Sequence, residues 1–108
     1  MMNPYELWWA NVAFEDDPSK CKKRPVLVVE DHCFLVYALK ITSRAPRGNT
    51  WGEYKIKRWK LAGLPEPSTI RISKYLALEK RDFIEKIGEL HQADILIVEK
   101  YLDRAYGY

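Results

Sequence analysis

The chain has 108 residues, 47% of them apolar and 31% charged, which fits one globular domain over 1–108 and excludes a disordered chain or a second independent core. Its longest apolar runs, 25–29 and 34–39, fall far short of the roughly 20 residues that cross a bilayer, and no basic stretch leads into a long apolar one at the amino terminus, so a cytoplasmic protein without membrane contact is expected. The formal charge of +3 is unevenly spread: residues 1–60 carry 11 Lys and Arg against 7 Asp and Glu, and the remainder 7 against 8.

Most of the chain reads as β. From Tyr5 to Phe14, alternation places Trp8, Ala10, Val12 and Phe14 on one side of a first strand, and Glu15 to Lys20 follows as a charged turn rich in Asp, Pro and Ser. Pro25–Val29 and Phe34–Ile41 are nearly continuous apolar runs separated by Glu30-Asp31-His32-Cys33, and predict a central hairpin buried on both faces. Residues 44–52 hold Pro46, Gly48, Asn49 and Gly52 and predict an exposed basic loop. Tyr54 and Ile56 then alternate with Lys55 and Lys57 as a strand with one apolar and one cationic face.

After a stiff loop over 62–68, Thr69–Leu78 reads as a strand anchored by Ile70, Ile72 and Leu76, whereas Phe83–Leu90 suits either strand or helix. Ile95, Val98 and Leu102 form one stripe of a helix from about Gln92 to about Arg104, with Asp94 in the first turn, where the macrodipole favours an acid. Short strands closed by one helix predict a mainly β fold, a curled antiparallel sheet or small barrel.

Two cationic clusters stand out, Lys20, Lys22, Lys23 and Arg24, then Arg44, Arg47, Lys55, Lys57, Arg58 and Lys60. They favour an anionic partner, nucleic acid among the candidates, although a run of lysines is more often only a solvated face. Trp51 and Tyr54, beside the second cluster, suit the stacking of unpaired bases, with core packing the plainer alternative, and Trp8, Trp9 and Trp59 are assigned to core or interface. His32 reads as a solvated turn residue and His91 as a neutral cap or packing group at the start of the helix. Cys21 and Cys33 are too few for a disulfide framework and lack the spacing that binds zinc, so neither metal nor cofactor is expected.

The order of segments carries more than any one of them. A Trp-bearing first strand, a charged loop, Lys23-Arg24-Pro25-Val26-Leu27-Val28-Val29, a strand ending Lys40-Ile41-Thr42-Ser43-Arg44, then Ala62-Gly63-Leu64-Pro65-Glu66-Pro67-Ser68 and Ile87-Gly88-Glu89-Leu90 resembles the MazF/PemK family of toxins from toxin–antitoxin modules, over about Glu6 to Leu102. The resemblance implies a small SH3-like curled antiparallel barrel of the CcdB/PemK type with a C-terminal helix, a homodimer, a cognate antitoxin, and metal-independent endoribonuclease activity on single-stranded RNA. It implies a catalytic role for Arg24, as phosphate clamp and candidate acid, and a hydrogen-bonding hydroxyl at Thr42, with Ser43 next to it as the fallback.

Such chemistry needs a base for the ribose 2′-OH, cations for the phosphorane-like transition state and a proton for the departing 5′ oxygen. Where some members carry an Arg-x-Asp pair, this chain keeps Arg71 but has Ser73 in place of the acid; Asp16 and Asp17, in the loop before Arg24, are the candidate bases, and both are more simply turn residues. Lys20, Lys22, Lys23, Arg44, Arg47, Trp51, Lys55 and Lys57 are the expected RNA contacts. An RNA- or partner-binding module that has lost its chemistry is the second reading. A gyrase-poisoning toxin of the same fold is the third, disfavoured by the Arg-Pro-Val and Thr-Ser elements.

Overall fold

The computed structural model describes residues 2–46 and 51–107. Six strands, β1 (Glu6–Ala13), β2 (Cys21–His32), β3 (Leu35–Thr42), β4 (Glu53–Lys55), β5 (Thr69–Leu78) and β6 (Phe83–Glu89), precede one helix, α1 (Gln92–Tyr106). All the strands join one antiparallel sheet in the order β4-β5-β3-β2-β1-β6.

The run Val26-Leu27-Val28 is fully buried because both faces of the central strands are covered, which is what a continuous apolar run rather than an alternating one requires. Leu27 belongs to the larger core with Leu7, Leu39, Ile70 and Ile72, closed over by Val98 and Leu102 of α1. Val26 points to the other face and packs with Ala10, Val12, Ala38 and Leu78, beside Trp8, Leu76 and Phe83.

The β2–β3 hairpin runs further than its apolar pattern. Glu30, Asp31 and His32 pair with Tyr37, Val36 and Leu35 after a register shift between Val28 and Glu30, so the turn shrinks to Cys33-Phe34, with Cys33 at φ 67° and its N–H donated to the Asp31 carboxylate at 2.9 Å. His32 is therefore a strand residue, 3.0 Å from Glu30 and edge-on to Tyr37. Conversely β4 stops at Lys55, short of the expected strand: Ile56 donates its N–H to Ser68 at 2.9 Å, and the N–H groups of Lys57 and Arg58 turn to the Asp94 carboxylate at 3.0 Å each. Phe83–Glu89 resolves as a strand because it pairs along β1, with two register shifts.

In α1, His91 is the N-cap, its Nδ1 accepting the Ala93 N–H at 3.1 Å, which requires the unprotonated nitrogen and matches the capping role. Gly107 ends the helix at φ 71°, and the Tyr106 hydroxyl donates to the Ile72 carbonyl.

The sheet does not close into a barrel, since β4 and β6 lie at opposite ends of the strand order. Its ends meet instead through the turn that follows β4. A Cβ on Gly88 would lie 2.2 Å from the Ala62 carbonyl oxygen, and one on Gly63 (φ 94°) 2.7 Å from that of Ile87. Two backbones touch where only glycines fit.

Candidate functional site

Strand register assembles the site. Lys40 of β3 lies opposite Val26 of β2 on one side and Arg71 of β5 on the other, and Arg71 in turn lies opposite Glu53 of β4. Arg24 precedes Val26 by two residues and Thr42 follows Lys40 by two, so the two-residue side-chain period brings both to the same face. The result is a cleft of about 210 Å³ lined by Arg24, Lys40, Thr42, Arg44, Ala45, Glu53 and Arg71. A second cleft of about 200 Å³ shares Arg24 and Thr42 and adds Lys22, Lys23, Ser43 and the loop residues Leu64, Pro65 and Glu66. Arg24 and Thr42 thus stand on the ridge between two basins.

Four cations line the first cleft against one carboxylate, Glu53, which accepts from Arg71 Nε at 3.2 Å. The Arg24 guanidinium makes no hydrogen bond or ion pair to another described residue, leaving its planar face of donors for a ligand anion. Thr42 Oγ1 accepts from the Arg44 N–H at 3.3 Å, so its own proton is free to be donated. Burial pushes Lys40 below its ordinary value; Glu15 opposes this, and Arg24, Arg71 and Lys74 add to it. Glu15, exposed in the β1–β2 loop, reaches back with Oε1 3.0 Å from Lys74 Nζ and 3.7 Å from Lys40 Nζ, and the Lys74 hydrogen bond holds its carboxyl below the usual range.

Of the residues singled out from sequence, Arg24, Thr42, Arg44 and Arg71 come together in the first cleft, and Lys22, Lys23 and Ser43 in the second. Ser73 does not join them. The register jumps from Leu39↔Tyr75 to Lys40↔Arg71, so residues 72–74 bow out of the β3–β5 ladder, and the Ser73 N–H bonds to Gly52 instead.

Neither proposed aspartate reaches the cleft. The Asp17 carboxylate accepts from Ser19 Oγ at 2.5 Å within its own turn, and the exposed Asp16 lines neither basin. Lys20 extends to Asp17 at 3.9 Å. Lys55 and Lys57 line a separate depression of about 390 Å³ with Ile56, Trp59 and Pro67, because β4 ends and the chain turns away toward Asp94. Trp51, 45% exposed, packs edge-on to Tyr101 and under the Arg104 guanidinium. Tyr54 is buried with its hydroxyl 2.6 Å from Asp94, which removes it as a base-stacking platform. Arg47 lies outside the described residues.

Lys40, Glu15, Glu53 and Lys74 were not singled out from sequence. A signal for Lys40 existed: a lysine two residues before Thr42 interrupts a strand otherwise buried on both faces, a place where a cation needs a reason.

The family model of PemK-like, MazF-like toxins of type II toxin–antitoxin systems matches residues 3–106. The chain belongs to this family. The MazF/PemK fold recurs in solved structures that resemble it over nearly full length. They include the toxin MazF-mt6 of Mycobacterium tuberculosis (TM-score 0.73, 21% identity, 97% of each chain) and an endoribonuclease in complex with its cognate antitoxin from a mycobacterial species (0.76, 15%, 99% of this chain and 96% of that one). MazF of Deinococcus radiodurans is a third (0.72, 23%, 99% and 97%). At these identities the shared property is the fold. A search of curated protein sequences gave no match. Among the described residues of this MazF/PemK-type chain, no helix is long and apolar enough to cross a membrane.

Proposed function

We propose that the chain is the toxin of a toxin–antitoxin module and an endoribonuclease that cuts single-stranded RNA in the cleft between Arg24 and Thr42. The observation that carries this reading is the convergence of Arg24, Lys40, Arg44 and Arg71 with the Thr42 hydroxyl on one concave surface, in a family whose toxins are endoribonucleases as a class. The attacking 2′-oxygen and the departing 5′-oxygen flank a phosphorus whose equatorial oxygens gain charge, and fixed donors aimed there lower the barrier. Arg24 clamps one phosphate edge and Thr42 donates to a neighbouring oxygen. Arg71, held by Glu53, supplies the third contact, and the second basin receives the adjoining nucleotide.

Glu15 itself lines neither basin, but it reaches back from the β1–β2 loop to within 3.7 Å of Lys40 in the first cleft, and on that contact it is assigned to take the 2′-OH proton, ionised beside Lys74 and Lys40. The products are a 2′,3′-cyclic phosphate and a 5′-OH, and the side-chain cations take the part a metal would otherwise play. The solved relative bound to its cognate antitoxin supports an antitoxin as partner, and charge complementarity favours an acidic segment of it lying across this basic face.

The test is digestion of a long mixed-sequence RNA in EDTA by wild type, Arg24→Ala and Thr42→Ala, with circular dichroism as the fold control. Wild type is expected to release 5′-OH ends, and each variant to lose about 100- to 1000-fold, the usual cost of one transition-state donor. RNA left intact by folded wild type at high concentration rejects the nuclease and leaves the binding module.

A further inference from the structure

We propose that Lys40 is the proton donor to the leaving 5′-oxygen, an assignment that rests on the nuclease reading of the same cleft. The reaction needs a group able to release a proton within the cleft, and chemistry narrows the choice. Guanidinium groups such as those of Arg24, Arg44 and Arg71 stay protonated and serve as fixed charge. The Thr42 hydroxyl is too weak an acid, and Glu53 is an acceptor engaged by Arg71. Among the described residues that line the cleft, Lys40 alone combines a transferable proton with a place in it.

Its surroundings suit the task. The side chain is 11% exposed, held in β3 between Val26 and Arg71, and so arrives with little conformational freedom to lose. The charged groups that act on it most strongly are Glu15 on the β1–β2 loop, Arg24 on β2 and Arg71 and Lys74 on β5, with Arg44 and Glu53 lining the same cleft, so cations outnumber carboxylates around it. Burial and those cations weaken its hold on the proton. A lysine so placed is a better acid than one on the surface, which is the direction general acid catalysis at neutral pH requires.

The step balances. The 2′-OH proton passes to Glu15 as the O2′–P bond forms, the P–O5′ bond breaks, and O5′ takes a proton from the Lys40 ammonium. Transfer from the Glu15 carboxylic acid to the Lys40 amine, 3.7 Å away in the resting protein, restores both groups for the next turnover.

The experiment compares two RNAs carrying the cut site mapped by the digestion above, one ordinary and one with sulfur replacing the bridging 5′-oxygen, since a thiolate departs without a proton. Lys40→Met is expected to lose about 100-fold or more on the ordinary RNA, the usual range for a general acid, and to cleave the sulfur-bridged RNA within about 10-fold of wild type. Lys40→Arg keeps the charge and near-native size, covers the case in which Lys40→Met does not fold, and is expected to show the same rescue, since a guanidinium cannot supply the proton. Equal losses on both RNAs, or full activity of Lys40→Arg on ordinary RNA, overturn the assignment and leave Lys40 as fixed positive charge. Wild type inert on both RNAs defeats the nuclease reading itself, an outcome distinct from any behaviour of the variants.

Discussion

Asp94 shows how differently one side chain can serve in a sequence and in a fold. Its position in the first turn of α1 suits the helix dipole, but it is fully buried and accepts from the Tyr54 hydroxyl at 2.6 Å and from the N–H groups of Lys57 and Arg58. Burial, reinforced by that carboxylate, holds the Tyr54 phenol well above its ordinary value. Asp94→Ala strands the buried Tyr54 hydroxyl and removes the acceptor of two part-buried N–H groups, and is expected to cost about 2–4 kcal/mol, against about 1 kcal/mol for Tyr54→Phe, which removes one bond and leaves two. Urea unfolding at neutral pH with an unchanged slope measures both. The candidate base followed the same logic: three carboxylates stand in a row at 15–17, spacing favours none of them, and only the path of the loop shows that Glu15 turns back while Asp17 closes its own turn. By contrast, Arg24, Thr42 and Arg71 were readable because strand alternation and segment order place them independently of loop geometry.

Elements with a strong period were legible to within a residue or two. The strand Thr69–Leu78 has the bounds its pattern predicts, and α1 starts at Gln92 and runs two residues past Arg104. What the pattern missed has a common cause in irregular register, which no periodicity encodes: the shift after Val28 that lengthens β2, the jump after Leu39 that expels Ser73, and the two shifts that let an ambiguous segment pair with β1. The Gly-Leu and Ile-Gly-x-Leu pieces, each weak alone in the sequence, are two halves of one backbone contact between the turn after β4 and β6. Gly88→Ala drives a methyl group into the Ala62 carbonyl, and because the obstacle is backbone on both sides it is expected to cost about 2–3 kcal/mol. A melting temperature lowered by roughly 10 °C checks this, while Gly107→Ala, whose Cβ meets nothing within 4 Å, reports the cost of helix-cap strain alone.

Taken together, the charge asymmetry between the two parts of the chain becomes a spatial one. Arg24, Lys40 and Arg44 share a cleft with Arg71 and Lys22 and Lys23 line the basin beside it, whereas Lys20 turns to Asp17 and Lys55 and Lys57 serve a different surface. Charge runs announced an anionic partner; only the turn at Ile56 decided which runs act together. If four phosphates of single-stranded RNA are met by this face, the binding constant is expected to fall with a log–log salt slope near −2.8, roughly 50-fold between 50 and 200 mM salt. Titration of antitoxin-free Arg24→Ala with RNA lacking the 2′-OH at the cut site should flatten that slope by about 0.7 relative to wild type, whereas Lys55→Ala should leave it nearly unchanged.

The glycine contact also bears on how such a protein changes over time. It fixes the start of the 62–68 loop through main chain while Ala62 and Leu64 seat in the larger core, so the exposed side chains that this loop sends to the rim of the second basin, Pro65 and Glu66, owe little to the anchor that fixes their position. On the nuclease reading, drift at these rim positions retunes which nucleotide is accepted while the scaffold stays intact, and selection for a new target need not wait for compensating changes in the core.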